Sequence, residues 1–235
     1  MTNKIIIAID GCSSTGKSTL ASILADYLSY KHINTGSMYR AVTLNAIRQK
    51  WIHSLNKTEF RVNKEKIIST LDELKLDFSV NSKGECKMYM NGKDVDFQLK
   101  SPAVSMYVSQ ISQIPLIRQK IVKMQQDIGR EKGVVMEGRD IGSVVFPEAE
   151  LKLFITASLE VRVQRRYSEL IGLGLHSSVD EVLYNLKMRD SEDSNRQDSP
   201  LIMVKDAILI DNSLLSIEDQ FNFVLELIKK KSHFL

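Results

Sequence analysis

Apolar positions along this chain fall into two kinds of block. Of the short strand-like runs at residues 5–10, 31–34, 134–137, 151–156 and 207–211, most are apolar throughout, the pattern of parallel strands covered on both faces. Between them the apolar spacing changes to three and four. Leu20, Ile23, Leu24 and Leu28 mark one helix, and Ile217, Phe221, Val224, Leu225 and Ile228 another. Strand and helix in alternation predict a doubly wound α/β fold, with a five-stranded parallel sheet flanked by helices.

Residues 74–97 break that rhythm. Strand-like runs at 76–80 and 86–90, the polar stretch 81–85 between them and Asn91-Gly92 after them read as two successive hairpins. This is a small antiparallel insertion. Ser101-Pro102 opens a helical stretch, and Pro115 starts another expected to reach about Gly129. Ser158 is the expected N-cap of a helix carrying Arg162, Arg165 and Arg166. Ser178, with Glu181 three residues on, forms a capping box for a further helix, whose inward stripe is Val179, Val182, Leu183 and Leu186.

Composition narrows the class. The 235 residues fit one domain, with 43% hydrophobic and 26% charged residues and only 11 Gly and 4 Pro, which excludes disordered and low-complexity readings. A net charge of +3 argues for neither a nucleic-acid nor a membrane surface. No apolar run approaches the roughly 18 residues of a membrane span. Cys12 and Cys86, in a chain without a signal-peptide pattern, suit a reducing cytoplasm. His32, His53, His176 and His233 have no ligand spacing, so no structural metal is expected.

The chemistry starts at Gly11-Cys12-Ser13-Ser14-Thr15-Gly16-Lys17-Ser18, followed by Thr19. It matches GxxxxGK[ST] between a strand and a helix, the context in which backbone N–H groups and a helix dipole cradle phosphate. Lys17 is expected to reach the transferred phosphoryl of ATP and Ser18 to ligate Mg2+. For the acceptor, Arg189, Asp193 and Arg196 share one helix face by spacing. Glu137-Gly138-Arg139-Asp140 follows a strand's carboxyl end, where open α/β sheets bind ligands. The stretch from Thr35 to Arg40 follows the second strand in the same way, and guanidinium groups suit phosphate.

TGSMYR at 35–40, the insertion, SQISQIPLIR at 109–118, EGRDIGSVVFP at 137–147 and RDSEDSNR at 189–196 together resemble the bacterial cytidylate kinases, of the nucleoside monophosphate kinase group. The resemblance implies one P-loop kinase domain over 1–235, with a monophosphate-binding insertion at about 36–115 and a helical lid at about 158–178. It puts Arg40, Arg139 and Arg189 at the acceptor phosphate, with Thr35 in the same motif, and Tyr39 beside the base. It puts Ser109, Arg118 and Asp140 at the cytosine edge and Asp193 at the ribose hydroxyls. Arg162 and Arg166 fall in the lid over the donor phosphates, and Arg196 faces the transferring phosphoryl. The implied reaction moves the γ-phosphoryl of ATP to CMP or dCMP in a monomeric enzyme whose only partners are small molecules. A GTPase would need Asn-Lys-x-Asp, and residues 56–59 end in Glu59 instead. The alternative is another small-metabolite or nucleotide P-loop kinase, such as one for shikimate, which has no use for the insertion.

Overall fold

The computed structural model describes residues 4–54, 60–80 and 86–232. Its elements run β1 (Ile6–Gly11), α1 (Lys17–Leu28), β2 (Lys31–Asn34), α2 (Thr35–Arg48), β3 (Ile52–Ser54), β4 (Phe60–Val62), α3 (Lys64–Thr70), β5 (Leu76–Val80), β6 (Cys86–Met90) and β7 (Lys93–Asp94). Then come α4 (Asp96–Leu99), α5 (Pro102–Ser112), α6 (Pro115–Gly129), β8 (Val134–Gly138), a π-helical turn (Ile141–Val145), β9 (Leu151–Thr156), α7 (Leu159–Gly172), α8 (Val179–Asn195), β10 (Ile208–Asp211) and α9 (Ile217–Ser232). They divide into two compact units, residues 1–35 with 122–235, and residues 36–121.

The larger unit is built on a five-stranded parallel sheet in the order β10-β9-β1-β8-β2. β1 lies at its centre, with Ile7 opposite both Val135 and Leu151. All six residues of β1 are buried, which accounts for its lack of polar alternation. Ile5, Ile7 and Ile9 pack with Leu20 and Leu24 of α1 and with Val224 and Ile228 of α9. The even positions face the other way, and Asp10 there accepts hydrogen bonds from the amides of Ile141 (2.8 Å) and Gly142 (2.7 Å). β1 extends one residue past the expected run, to Gly11. A Cβ on Gly11 would lie 2.0 Å from the Ile155 carbonyl oxygen, so only glycine lets β9 pair this far along.

α7 and α8 pack through Val163, Leu170, Val182 and Leu186. The capping box is present: the Ser178 hydroxyl accepts from the Glu181 amide at 3.1 Å, and the Glu181 carboxylate accepts from the Ser178 amide at 2.8 Å. Two expectations for α8 need correction. Val179 is 48% exposed, not part of the inward stripe, because the first residue of the helix precedes the turn that packs. Arg196 is not on the helix face but at its C-cap, in extended backbone, where its Nε donates to the Ser199 carbonyl at 2.6 Å.

In the smaller unit β5, β6 and β7 form an antiparallel sheet, as the hairpin reading expected. Asn91 and Gly92, both with positive φ (51° and 75°), make the β6–β7 turn, a pairing that suits a two-residue hairpin. The first expected turn, at 81–85, lies outside the described residues, as do residues 56–59 and His233. α5 starts where expected, with the Ser101 hydroxyl accepting from the Val104 amide and Pro102 in the first turn. Among the described residues no helix is long and apolar enough to cross a membrane.

Candidate active site

The loop between β1 and α1 wraps around its own lysine. Ser14 and Gly16 have positive φ (60° and 85°), and the turn they make buries Lys17. Its ammonium donates to the Cys12 carbonyl at 2.5 Å and to the Thr15 hydroxyl at 3.2 Å. Burial, and secondarily the charge of Arg139, lowers the Lys17 pKa to about 7, so an arriving polyanion relieves an unfavourable charge. Burial raises the Cys12 pKa, with Asp190 adding to the effect, which disfavours the thiolate. Ser13, Thr15 and Lys17 are buried, whereas Thr19 is exposed.

The Ser18 hydroxyl donates to Glu137 Oε2 at 2.9 Å, and His32 Nε2 lies 3.0 Å from Glu137 Oε1. A hydroxyl with one adjacent carboxylate is the sparse protein share that Mg2+ takes when phosphates and water fill its other positions. Among the described residues no group of three or more His, Cys, Asp or Glu could hold a metal ion without such help. Thr35 is buried, and its hydroxyl donates to the Glu137 carbonyl at 2.7 Å.

A second cluster surrounds Arg139. Its Nε donates to Asp193 Oδ2 at 2.8 Å and its Nη2 to the Ser13 hydroxyl at 2.7 Å, tying the phosphate loop to α8. Burial works against the Arg139 charge, but Asp193 outweighs it and the pKa is raised. For Asp193 burial likewise favours the neutral acid, and Arg139, then Arg189, reverse this to hold the pKa low. Arg196 approaches Asp193 (3.8 Å) and Asp140 (3.7 Å). Arg162 is buried and bonded to Asp190 Oδ2 at 2.5 Å. The Arg189 Nε is buried with no hydrogen-bond partner among the described residues. Burial, then the charge of Arg139, pulls its pKa down to about 10.

Arg166 is bonded to Glu169 at 2.8 Å, and its charge adds to the lowering of the Arg189 pKa. It helps line a cavity of about 630 Å³ with Thr15, Gly16, Arg165, Asn212, Leu215 and Gln220. In the smaller unit, Tyr39, Ser109 and Arg118 are all buried. The Arg118 guanidinium lies 5.7 Å from the centre of the Tyr39 ring and donates to the Ser112 carbonyl at 3.1 Å. Arg40 donates to the Leu99 carbonyl at 2.7 Å and to the Ser105 hydroxyl at 3.0 Å. Sequence reasoning assigned no role to Glu137, His32, Asp190, Arg165 or Asn212. The EGRD motif contained the signal for Glu137; nothing in the sequence pointed to Asn212.

The family described as cytidylate kinase matches residues 7–230 of this sequence. The chain belongs to the cytidylate kinase family. Curated cytidylate kinases include one from Flavobacterium psychrophilum, 51% identical over 96% of this chain and 98% of that protein. Another, from Caldicellulosiruptor saccharolyticus, is 42% identical over 97% of this chain and 96% of that protein. A solved structure of an uncharacterised protein from Eubacterium ventriosum is similar with a TM-score of 0.50 and 12% identity, covering 97% of this chain and 99% of that one; this is a likeness of fold alone. Membership carries ATP-dependent phosphorylation of CMP.

Proposed function

We propose that this enzyme transfers the γ-phosphoryl of ATP in line to an acceptor phosphate oxygen of CMP or dCMP, without a side-chain base. The attacking oxygen already carries charge, so the protein's task is to position two polyanions and stabilise the equatorial oxygens. The loop from Gly11 to Thr19 binds the donor phosphates, with Lys17 on the phosphoryl in transit. Mg2+, held through the Ser18 hydroxyl with Glu137 beside it, would neutralise phosphate charge. Arg40, Arg139 and Arg189 take the acceptor phosphate, Tyr39 lies against the base, Ser109, Arg118 and Asp140 read its edge, and Asp193 accepts from the ribose. Residues 158–178 act as a lid, through which Arg162 and Arg166 come over the donor, with Arg196 at the transferring group, and exclude water. The working unit is a single chain in the cytoplasm, with only small molecules as partners.

The observation that supports this reading most directly is Arg189, a guanidinium whose buried Nε has no hydrogen-bond partner among the described residues and whose charge is opposed by burial and by Arg139. A buried donor left in this way costs roughly 1–3 kcal/mol, and a phosphate would relieve it. Arg189→Ala should therefore lower kcat/KM for CMP by about 2–4 kcal/mol, the scale of a removed electrostatic donor, while ATP affinity changes little. Unchanged CMP kinetics would assign Arg189 to a structural role.

A further inference from the structure

The phosphate loop works through backbone N–H groups, so something must hold each peptide plane the right way round. Carbonyl and N–H point in opposite directions across a trans peptide, and the Thr15–Gly16 peptide is adjacent to the residue least able to resist a flip. The Thr15 carbonyl accepts from Asn212 Nδ2 at 2.6 Å. The Gly16 N–H therefore points away from Asn212, and it makes no hydrogen bond among the described residues.

Asn212 is itself immobilised. It is 1% exposed, and its backbone amide donates to the Thr156 carbonyl at 2.9 Å. The second Nδ2 proton goes to Gln220 Oε1 at 2.9 Å, while Oδ1 accepts from Arg165 Nη1 at 3.0 Å. Arg165 Nη2 also donates to the Asn212 carbonyl at 3.0 Å. With an acceptor on one side and a donor on the other, the amide has one orientation only. Gln220 is fixed in turn by donation to the Ser216 carbonyl at 3.1 Å. The network thus joins α7, the end of β10 and α9 to one carbonyl of the phosphate loop.

We propose that Asn212 is a positioning residue for phosphoryl transfer: it locks the Thr15–Gly16 peptide so that the Gly16 N–H faces the donor phosphates, and through Arg165 it links that lock to α7. Asn212 touches no substrate atom in this account and acts only through the peptide it holds. The inference rests on the phosphate loop being the ATP site.

The test compares Asn212→Ala, Asn212→Asp and Gln220→Ala with the parent, by calorimetric titration with ATP and separately with CMP, and by steady-state kinetics. Asn212→Asp keeps the acceptor for Arg165 and loses both donors. Both Asn212 variants should bind ATP and CMP at the parental stoichiometry, with CMP affinity within about twofold. ATP affinity or kcat should fall at least tenfold, on the order of one lost hydrogen bond to a charged group. Gln220→Ala, which removes only the orienting acceptor, should shift in the same direction by less and decides the matter if the Asn212 variants do not fold. Parental ATP affinity and kcat in the folded variants would overturn the proposal. So would a loss of stoichiometry for both ligands with unchanged affinity in the remaining fraction, the mark of a merely structural residue. A parent that itself failed to bind ATP would instead overturn the assignment of the loop.

Discussion

Lys17 and Asp193 carry opposite charges, both buried, and each is held for a different purpose. The Lys17 ammonium sits where burial works against its charge, stabilised by two oxygens of its own loop, and it gains most where negative charge develops during transfer. Lys17→Ala should lower kcat at least about 100-fold with an intact far-UV circular dichroism spectrum, and a parental kcat would remove Lys17 from the donor site. Asp193 is bonded to Arg139 at 2.8 Å, so on the proposed reading, with Arg139 at the acceptor phosphate, its loss should lower turnover of any substrate. The proposed ribose contact adds a loss only where a 2′-hydroxyl exists. Asp193→Asn should therefore cost CMP more than dCMP, by about 1.5–3 kcal/mol in kcat/KM; equal losses would leave Asp193 with the arginine-holding role alone.

At the scale of elements, the sheet and the helices around it were legible because burial on both faces leaves no polar alternation in β1, and because the capping box at Ser178 announces α8. What escaped sequence reasoning was contact across long separations. Nothing local tells that Asp10 accepts from two amides 131 and 132 residues away, or that Asn212 holds the Thr15 carbonyl, 197 residues away. Asp10 joins the end of β1 to the π-helical turn, and burial raises its pKa from 3.8 to about 6 against the pull of those two amides. A folded pKa above the unfolded one means that the proton-linked stabilisation is complete below pH 3.8 and is lost as the pH rises through about 6. Relative to an Asp10→Asn variant, the parent should lose stability across that window, by on the order of 3 kcal/mol at most, as read from denaturant midpoints at each pH. A difference between the two that does not change with pH would mean that Asp10 titrates normally in the fold.

For the whole molecule, family membership settles the reaction class, and the acceptor's identity is what distinguishes a cytidylate kinase from its P-loop neighbours. The motifs that announced it, from TGSMYR to RDSEDSNR, are scattered along the chain, and their order was readable before any geometry. The arrangement of Arg139, Arg189, Asp193 and Lys17 around one loop was not, since it depends on Arg139 reaching both Asp193, 54 residues away, and Ser13. Cytosine offers an exocyclic amino donor where uracil offers a carbonyl, so a carboxylate such as Asp140 can pair with the first and must face the second unpaired. The most direct measurement is kcat/KM for a panel of CMP, dCMP, UMP, AMP and GMP with saturating ATP and Mg2+. CMP and dCMP should lead, with UMP at least about tenfold worse and the purine monophosphates worse still; an enzyme that phosphorylated UMP or AMP as well as CMP, or none of the five, would contradict the account.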